Sequence, residues 1–230
     1  MSASANVSDN DRLAQWWHPD DATTALEASA APYRRLALQL QHEFSAEGQG
    51  SCLLLATPNR SALAAHASPC LAYAVAEELG QRVLLVDASG ADGELSRALG
   101  CSLRPGWSDL MADESRAIEP LVLPTSHPSV SFLPAGTAPE AVSGRHQGAI
   151  PRLLERARAG HAFLILSGGS VLHETAALAA APHVASVLLM PVENETLVAD
   201  LDAAQKALRL CKARHIGVVM ISGAAAARGR

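Results

Sequence analysis

SCLLLATPNRSALAAHASPCLAYAVAEELGQRVLLVDASG, residues 51–90, is the stretch that decides the fold. It contains two apolar runs, Cys52–Ala56 and Val83–Asp87, the second ending in a carboxylate, and runs without alternation are typical of parallel strands covered on both faces. Between them lies Ala62–Leu79, whose Ala- and Leu-rich composition and following Gly80 predict a helix. The stretch therefore predicts a strand–helix–strand unit, and the loop after its first strand is where such folds hold a phosphate.

That loop lacks the residues that usually bind phosphate. A phosphate cradle uses glycines to let backbone N–H groups approach the oxygens, a lysine for the outer phosphates, and a Ser or Thr hydroxyl for the metal ion. Residues 57–68 contain neither glycine nor lysine, and the only lysines of the chain are Lys206 and Lys212. Arg60 is the loop residue that would replace the lysine. From the residues alone, the unit is either purely structural or binds its ligand without the usual groups.

Composition and the remaining apolar runs narrow the class of protein. Of the 230 residues, 49% are hydrophobic but only 3% are aromatic, so Leu, Val, Ile and Ala must build the core. With further apolar runs at 161–166, 186–191 and 216–222, this predicts an α/β fold with a doubly wound, mostly parallel sheet and flanking helices. The net charge of −5 argues against nucleic-acid binding, and no apolar run is long enough to span a bilayer. We therefore expect a cytoplasmic protein.

The cysteines do not suggest a metal site. There are four, widely separated and without a C-x-x-C pair, which argues against zinc. Cys52 and Cys211 lie in or beside apolar segments and are predicted to be reduced core thiols of a cytosolic protein. His66 and Cys70 are four residues apart on the predicted helix, but two ligands do not make a site.

The chain is predicted to divide into three parts. Residues 1–28 are interpreted as a flexible N-terminal arm, residues 29–223 as a single domain and residues 224–230 as a frayed tail. Trp16 and Trp17 stand out within the arm. Two adjacent tryptophans either dock on a partner or fold back over the domain's own apolar surface.

Two predicted strand ends carry the candidate site residues. Asp87 closes the second strand, and it is either a remnant of metal or water chemistry or an aspartate that caps a helix or bonds its own loop. The strand that starts at His161 is predicted to end at Ser167, where nucleotide hydrolases usually carry an acidic residue for magnesium. Ser170, His173 and Asp87 could also act as nucleophile, base and orienting group, although the sequence lacks the G-x-S-x-G elbow.

Five short motifs follow one another along the chain: PYRRL at 32–36, LLATP at 54–58, VLLVDA at 83–88, WSDLM at 107–111 and FLPAG at 132–136. In the same order, they are similar to the E-A-Y-R-T-L-R helix, the Walker A entry, the L-L-I-D-A-D strand, G-L-S-D-L-L and L-P-A-G of one family. The chain thus resembles the bacterial tyrosine kinase (BY-kinase) domain of capsule and exopolysaccharide export, a branch of the MinD/ParA-like P-loop ATPases. The resemblance covers most of the chain and implies a P-loop NTPase-like fold.

The resemblance also implies degenerate catalytic motifs. No G-E-G-K-S-T follows Pro58, Ser89 stands where the family has its second aspartate, and Ser167 stands where V-I-I-D-T-P-P has its aspartate. The implied protein is a pseudo-kinase that is not an enzyme, with no catalytic residues, no bound cofactor and no metal. Arg60, Asp87 and Ser167 are then remnants of the nucleotide site.

A membrane partner is implied as well. BY-kinase domains dock on the cytoplasmic part of a membrane polysaccharide co-polymerase, so we expect a scaffold that such a protein recruits to the inner membrane. The candidate partner-binding residues are Trp16, Trp17, Tyr33 and Arg34. Arg34 matches the first arginine of the family's oligomerisation helix, but Ala31 and Ala37 stand where the family has its glutamate and its second arginine. We therefore do not expect the family's ring, and the homo-oligomer that stays open is a dimer across the crevice face. The alternative is a degenerate MinD/ParA-like positioning protein that recruits a partner to a membrane or pole.

Overall fold

The structure, a computed structural model, describes residues 31–42, 44, 51–90, 93–138 and 148–222. The predicted arm with Trp16 and Trp17 and the predicted tail lie outside these residues, so the division of the chain into arm, domain and tail stays a prediction.

A seven-stranded sheet forms the centre of the fold. Its spatial order is β3-β4-β2-β5-β1-β6-β7, and every neighbouring pair is parallel except β3 with β4. The strands are β1 (Ser51–Thr57), β2 (Val83–Asp87), β3 (Leu123–Pro124), β4 (Val130–Leu133), β5 (Phe163–Ser170), β6 (Ser186–Leu189) and β7 (Ile216–Val218).

Helices connect the parallel strands. They are α1 (residues 31–42), α2 (Ala62–Leu79), α3 (Glu94–Ala98), α4 (Trp107–Ala112), α5 (Ala149–Arg158), α6 (Ala176–Ala180) and α7 (Val198–Leu210), with short 3₁₀ turns at Glu119–Leu121 and Ala181–His183. The predicted strand–helix–strand unit is thus β1-α2-β2.

The sheet buries side chains on both faces because its central strands are apolar at nearly every position. In β1, Cys52, Leu54 and Ala56 belong to one core cluster and Leu53 and Leu55 to the other, and all five are at most 1% exposed. Residues of α4 to α7 pack in the first cluster, and residues of α1 to α3 pack in the second. Helices therefore cover both faces, which confirms the doubly wound α/β fold.

The strand β5 is longer than predicted. It does not end at Ser167 but continues to Ser170, where it pairs with Thr57 at the end of β1. The sequence Ser-Gly-Gly-Ser reads as a loop because glycines favour turns. Here the backbone of the segment instead pairs with a neighbouring strand, and Gly168 lies so close to Leu54 and Ala177 that a Cβ would meet the Leu54 side chain at 2.6 Å. Tertiary packing thus overrides the local preference.

None of the described helices is long and apolar enough to cross a membrane.

The four cysteines are free thiols with different surroundings. Cys52 is buried as predicted, whereas Cys211 is only partly buried, so its assignment to the core is wrong; it follows directly on the end of α7. Burial raises the pKa of the Cys52 thiol to about 12, against a smaller opposing effect of Arg158. Burial also raises the pKa of the Cys70 thiol to about 11.

We expect Cys70 to react slowly with iodoacetamide in the native chain. Only the thiolate is nucleophilic, and a pKa near 11 instead of 9 lowers its fraction at pH 8 by about 100-fold. The rate should rise about tenfold per pH unit between pH 8 and 10, because both values lie below the raised pKa. Mass spectrometry of the labelled chain measures this, with the denatured chain as the reference for an accessible thiol. Equal labelling of native and denatured chain would contradict it.

Candidate functional site: the carboxyl edge of the sheet

The loop after β1 is joined to the end of β5 by backbone hydrogen bonds. The N–H groups of Val171 and Leu172 donate to the carbonyl oxygens of Thr57 and Pro58 at 2.8 and 3.2 Å. The Ser170 hydroxyl, which is buried, donates to the Pro58 carbonyl at 3.0 Å. The two residues that follow the apolar part of β1 therefore extend the sheet, and the loop opens only at Asn59.

Asn59 and Arg60 contact acidic residues of other elements. The Asn59 side-chain amide donates to Asp200 in the first turn of α7 at 2.8 Å. Arg60 Nε lies 3.7 Å from an oxygen of Glu174, a residue between β5 and α6 whose side chain is only 12% exposed. Neither Glu174 nor Asp200 was foreseen from the sequence. The sequence signal for both residues is an acidic residue near the start of a helix that follows a strand. That arrangement is too common to indicate a functional site.

Asp87 is an aspartate that bonds its surroundings, and not a free carboxylate at the strand end. The side chain is fully buried, and its two oxygens accept four hydrogen bonds. Oδ1 accepts from the amide and hydroxyl of Ser89 at 3.2 and 2.6 Å, and Oδ2 from the amide and hydroxyl of Ser96 at 2.7 Å each. Since Ser96 lies in α3, Asp87 holds the start of that helix against the end of β2.

Ser96 extends this network to a third loop. While its hydroxyl donates to Asp87, the hydroxyl oxygen accepts the backbone N–H of Ala135 at 2.8 Å. Ala135 follows β4 and belongs to the FLPAG motif. Thus β2, α3 and the loop after β4 share one buried polar cluster.

The FLPAG and WSDLM motifs pack directly against each other. Backbone N–H groups of Trp107 and Ser108 donate to the carbonyl oxygens of Pro134 and Ala135 at 2.8 Å each. Gly136 adopts φ +96°, and a Cβ there would lie 2.4 Å from the Ser108 hydroxyl. Two motifs that carried the resemblance therefore have a structural role in this chain, because their backbones bond to each other and pack in close contact.

Asp109 completes that contact through a capping interaction in the first turn of α4, whose N-cap residue is Gly106. One of its oxygens accepts the backbone N–H groups of Gly106 and Thr137, each at 2.8 Å, and the other accepts the Thr137 hydroxyl at 2.8 Å. Partial burial alone would raise the pKa of Asp109, but the hydrogen bonds from Thr137 and Gly106 and the charge of Arg116 together lower it below its usual value. The stabilisation by this cap is therefore present above the usual carboxyl pKa and is lost as pH falls through the lowered one.

Ser167 lies beside Asp87 inside the sheet. It pairs in register with Asp87 on one side and with Leu55 on the other. The hydroxyl of Ser68 in α2 donates to the Ser167 hydroxyl at 3.4 Å. Of the three predicted remnants, Asp87 and Ser167 are thus neighbours, whereas Arg60 pairs with Glu174 in a different loop.

Ser170, His173 and Asp87 do not form a catalytic triad. Ser170 donates to a backbone carbonyl, both oxygens of Asp87 accept from Ser89 and Ser96, and His173 is exposed, so no nucleophile–base contact forms. Within the described ranges, no three His, Cys, Asp or Glu side chains are grouped as metal ligands.

Tyr33 and Arg34 lie where α1 meets α2. Burial raises the pKa of Tyr33 to about 12, and the neighbouring Cys70 adds to the rise. The Arg34 guanidinium pairs with Glu78 near the end of α2. Both predicted partner-binding residues therefore have intramolecular contacts in this structure, and their role toward a partner stays a prediction.

An apolar surface lies beside the Asn59 contact and was not foreseen from the sequence. Leu197 and Val198, at the start of α7, are 66% and 75% exposed. The bond between Asn59 and Asp200 joins this helix start to the loop that contains Arg60. We call Arg60, Leu197 and Val198 the carboxyl-edge patch.

Comparison with known proteins identifies the fold. Neither a family model nor a curated protein matches the sequence. Among solved structures, the BceF tyrosine kinase domain is 25% identical with a TM-score of 0.72, covering 85% of this chain and 77% of that one. The kinase domain of Escherichia coli tyrosine kinase ETK is 16% identical with a TM-score of 0.66, covering 76% of this chain and 69% of that one. The cell division protein MinD of Aquifex aeolicus is 17% identical with a TM-score of 0.58, covering 74% of this chain and 68% of that one.

These similarities confirm the resemblance to BY-kinase domains and the P-loop NTPase-like fold. They also correct one expectation: the prediction that the chain is not an enzyme is wrong, because the solved structures that share its fold include tyrosine kinase domains. That prediction relied on departures from the family motifs at three places: the loop after Pro58, which lacks the glycines and the lysine, and the serines Ser89 and Ser167, which replace aspartates. Phosphate can also be bound by a guanidinium and by backbone N–H groups, so the loop alone does not place the chain outside this class of enzyme fold.

Proposed function

We propose that this chain is a BY-kinase-like domain of an exopolysaccharide or capsule export system that binds the cytoplasmic part of a membrane polysaccharide co-polymerase. The observation that carries the proposal is the similarity to the BceF tyrosine kinase domain, which extends over 85% of the chain at 25% identity. The family that the sequence resembles works with such a membrane partner. On this proposal the partner brings the chain to the cytoplasmic face of the inner membrane.

The carboxyl-edge patch is the surface that we assign to this partner. Large apolar side chains exposed side by side commonly mark protein interaction sites. Leu197 and Val198 are such a pair, and Arg60, with its side chain 57% exposed, adds a cation at the same edge. The patch is held in place by Asn59 and Asp200, so a partner would find it already formed.

We expect Val198→Asp to weaken binding of the full chain to the cytoplasmic part of the co-polymerase by about tenfold, which corresponds to roughly 1.4 kcal/mol. A carboxylate in an apolar contact must be desolvated, yet an acidic residue in the first turn suits the helix itself, so the fold should persist. Binding to the purified cytoplasmic part, measured by calorimetry, checks this. Tagged chain purified from cells of the same species should also recover the co-polymerase.

Leu103→Asp is the matched control. Leu103 is 89% exposed, lies between α3 and α4 and is not part of the patch. It should bind like the unmodified chain. Recovery of no polysaccharide-export component, or an equal loss of binding in both variants, would overturn the proposal.

A MinD- or ParA-like positioning role remains the second candidate. It is supported by the shared fold, at lower TM-scores than those of the kinase domains. Microscopy of the tagged chain distinguishes the two candidates. Polar or oscillating localisation that does not need the co-polymerase would favour positioning, whereas loss of membrane localisation in a co-polymerase deletion would favour the first candidate.

A further inference from the structure

A large groove runs along one edge of the sheet, between α1 and β7. Its volume is about 950 Å³, and its apolar lining residues are Leu36, Leu40, Phe44, Leu188, Ile216, Val218 and Val219. Gly217 in β7 also lines it and lacks the side chain that would fill part of it. We call this space the β7 groove.

The backbone of β7 can accept another strand. β7 is the last strand of the sheet on this side within the described residues, and β6 is its neighbour. His215 and Val219 bond toward β6, as acceptor from Val187 at 2.8 Å and as donor to Leu189 at 3.0 Å. Because successive residues of a strand direct their backbone groups to alternate sides, those of Ile216 and Val218 point to the outer edge.

Apolar surface is present on both faces of this edge. Val219 and Ile221 pack with the cluster that includes Leu36, on the groove side. The side chains of Val218 and Met220 alternate with them and so lie toward the opposite face, although Val218 also borders the groove; the two residues are 45% and 59% exposed. A strand added here would bury the most apolar surface if it carried two adjacent large apolar residues. Neighbours along a strand project to opposite faces, so one of the two would contact each face.

The chain contains such a pair directly upstream of the groove. Trp16 and Trp17 are separated by thirteen residues from Ala31, the first residue of α1, and α1 itself lines the groove. Thirteen extended residues reach up to about 45 Å, whereas the twelve residues of α1 span about 18 Å. The pair can therefore reach any position along β7.

Charge also favours this occupant. The groove is rimmed by basic side chains, Arg214 with His42 and His215. Residues 1–30 hold two basic residues, Arg12 and His18, against five acidic ones, Asp9, Asp11, Asp20, Asp21 and Glu27.

We propose that the segment around Trp16-Trp17 adds as a strand to the outer edge of β7. One indole fills the β7 groove, and the other covers Val218 and Met220. The interaction closes an open apolar sheet edge, and any external strand would have to displace the chain's own segment to bind there.

Tryptophan fluorescence of the full chain tests whether the indoles of Trp16 and Trp17 are buried against β7. The chain has three tryptophans, and Trp107 is buried in the core, so subtracting the spectrum of a Trp16→Phe/Trp17→Phe variant isolates the other two. We expect their emission to be blue-shifted in the native chain and to move to the denatured-chain wavelength in Val218→Glu. Leu103→Glu, at an exposed site away from the groove, should leave it blue-shifted.

Amide hydrogen exchange provides a second measurement that does not depend on a substitution in β7. An added strand would protect the Val218 amide, so we expect exchange at least tenfold faster in Trp16→Ser/Trp17→Ser than in the unmodified chain. Native indoles that emit as in the denatured chain would overturn the proposal, as would a Val218 amide that exchanges equally fast in both. Protection that disappears on dilution would also overturn it, since the strand would then come from a second copy.

Discussion

Replacing Asp87 with alanine is expected to lower the free energy of unfolding by about 3–4 kcal/mol. The carboxylate is fully buried and accepts four hydrogen bonds from Ser89 and Ser96. Without it, two amides and two hydroxyls lose their acceptor in the interior, and the start of α3 is released from β2. Urea denaturation followed by circular dichroism measures the effect.

Asp113→Ala is a matched control for this prediction. Asp113 accepts from the amide and the hydroxyl of Ser115 at 3.0 and 2.6 Å, the same local arrangement that Asp87 forms with Ser89, but on an exposed surface. Water can replace that acceptor, so the midpoint of unfolding should hardly move. If Asp87→Ala were as stable as the unmodified chain, Asp87 would have to be explained by chemistry at the carboxyl edge and not by its hydrogen bonds.

The free energy of unfolding of Asp87→Asn should fall between that of Asp87→Ala and that of the unmodified chain. An amide of the same shape keeps one acceptor oxygen and turns the other position into a donor that faces the donors of Ser89 or Ser96. About half of the loss seen with alanine is expected.

Gly106→Ala is expected to destabilise the chain by about 3 kcal/mol, the upper part of the range for an overpacked interior. A Cβ at this position would lie 2.0 Å from the Pro134 carbonyl oxygen and 2.6 Å from its carbon. Backbone cannot rotate away as a side chain can, so the WSDLM and FLPAG segments would have to separate. The two hydrogen bonds from Trp107 and Ser108 would then lengthen or break.

Gly148→Ala is the control for the glycine substitution itself. Gly148 precedes α5 with φ −62°, and a Cβ there would meet nothing within 4 Å. Alanine should be neutral or slightly stabilising at this site, because it reduces the conformational freedom of the unfolded chain. Equal stability of Gly106→Ala and Gly148→Ala in thermal unfolding would contradict the close backbone packing described for the two motifs.

The site was only partly predictable from the sequence. Asp87 was singled out because it ends an apolar strand, but its partner Ser96 lies nine residues away across a loop, and nothing local joins the two. Ser167 was placed at a strand end because Gly168 and Gly169 favour turns; the pairing with Thr57 at the end of β1 extends the strand past them. Leu197 and Val198 read as ordinary helix residues, and only their exposure distinguishes them.

What the sequence by itself determined is the set of elements and their layers. Uninterrupted apolar runs bury both faces of a strand, and that requirement alone leads to helices on both sides of a parallel sheet. What only the tertiary structure decided is the arrangement at the carboxyl edge: Asp87 bonded to α3, Arg60 beside Glu174, and the two motif segments packed backbone to backbone. The physical reason is the separation along the chain of the residues that interact. Hydrophobic periodicity is local and readable along the chain, whereas a hydrogen bond depends on distances of a few tenths of an ångström between residues that folding alone brings together.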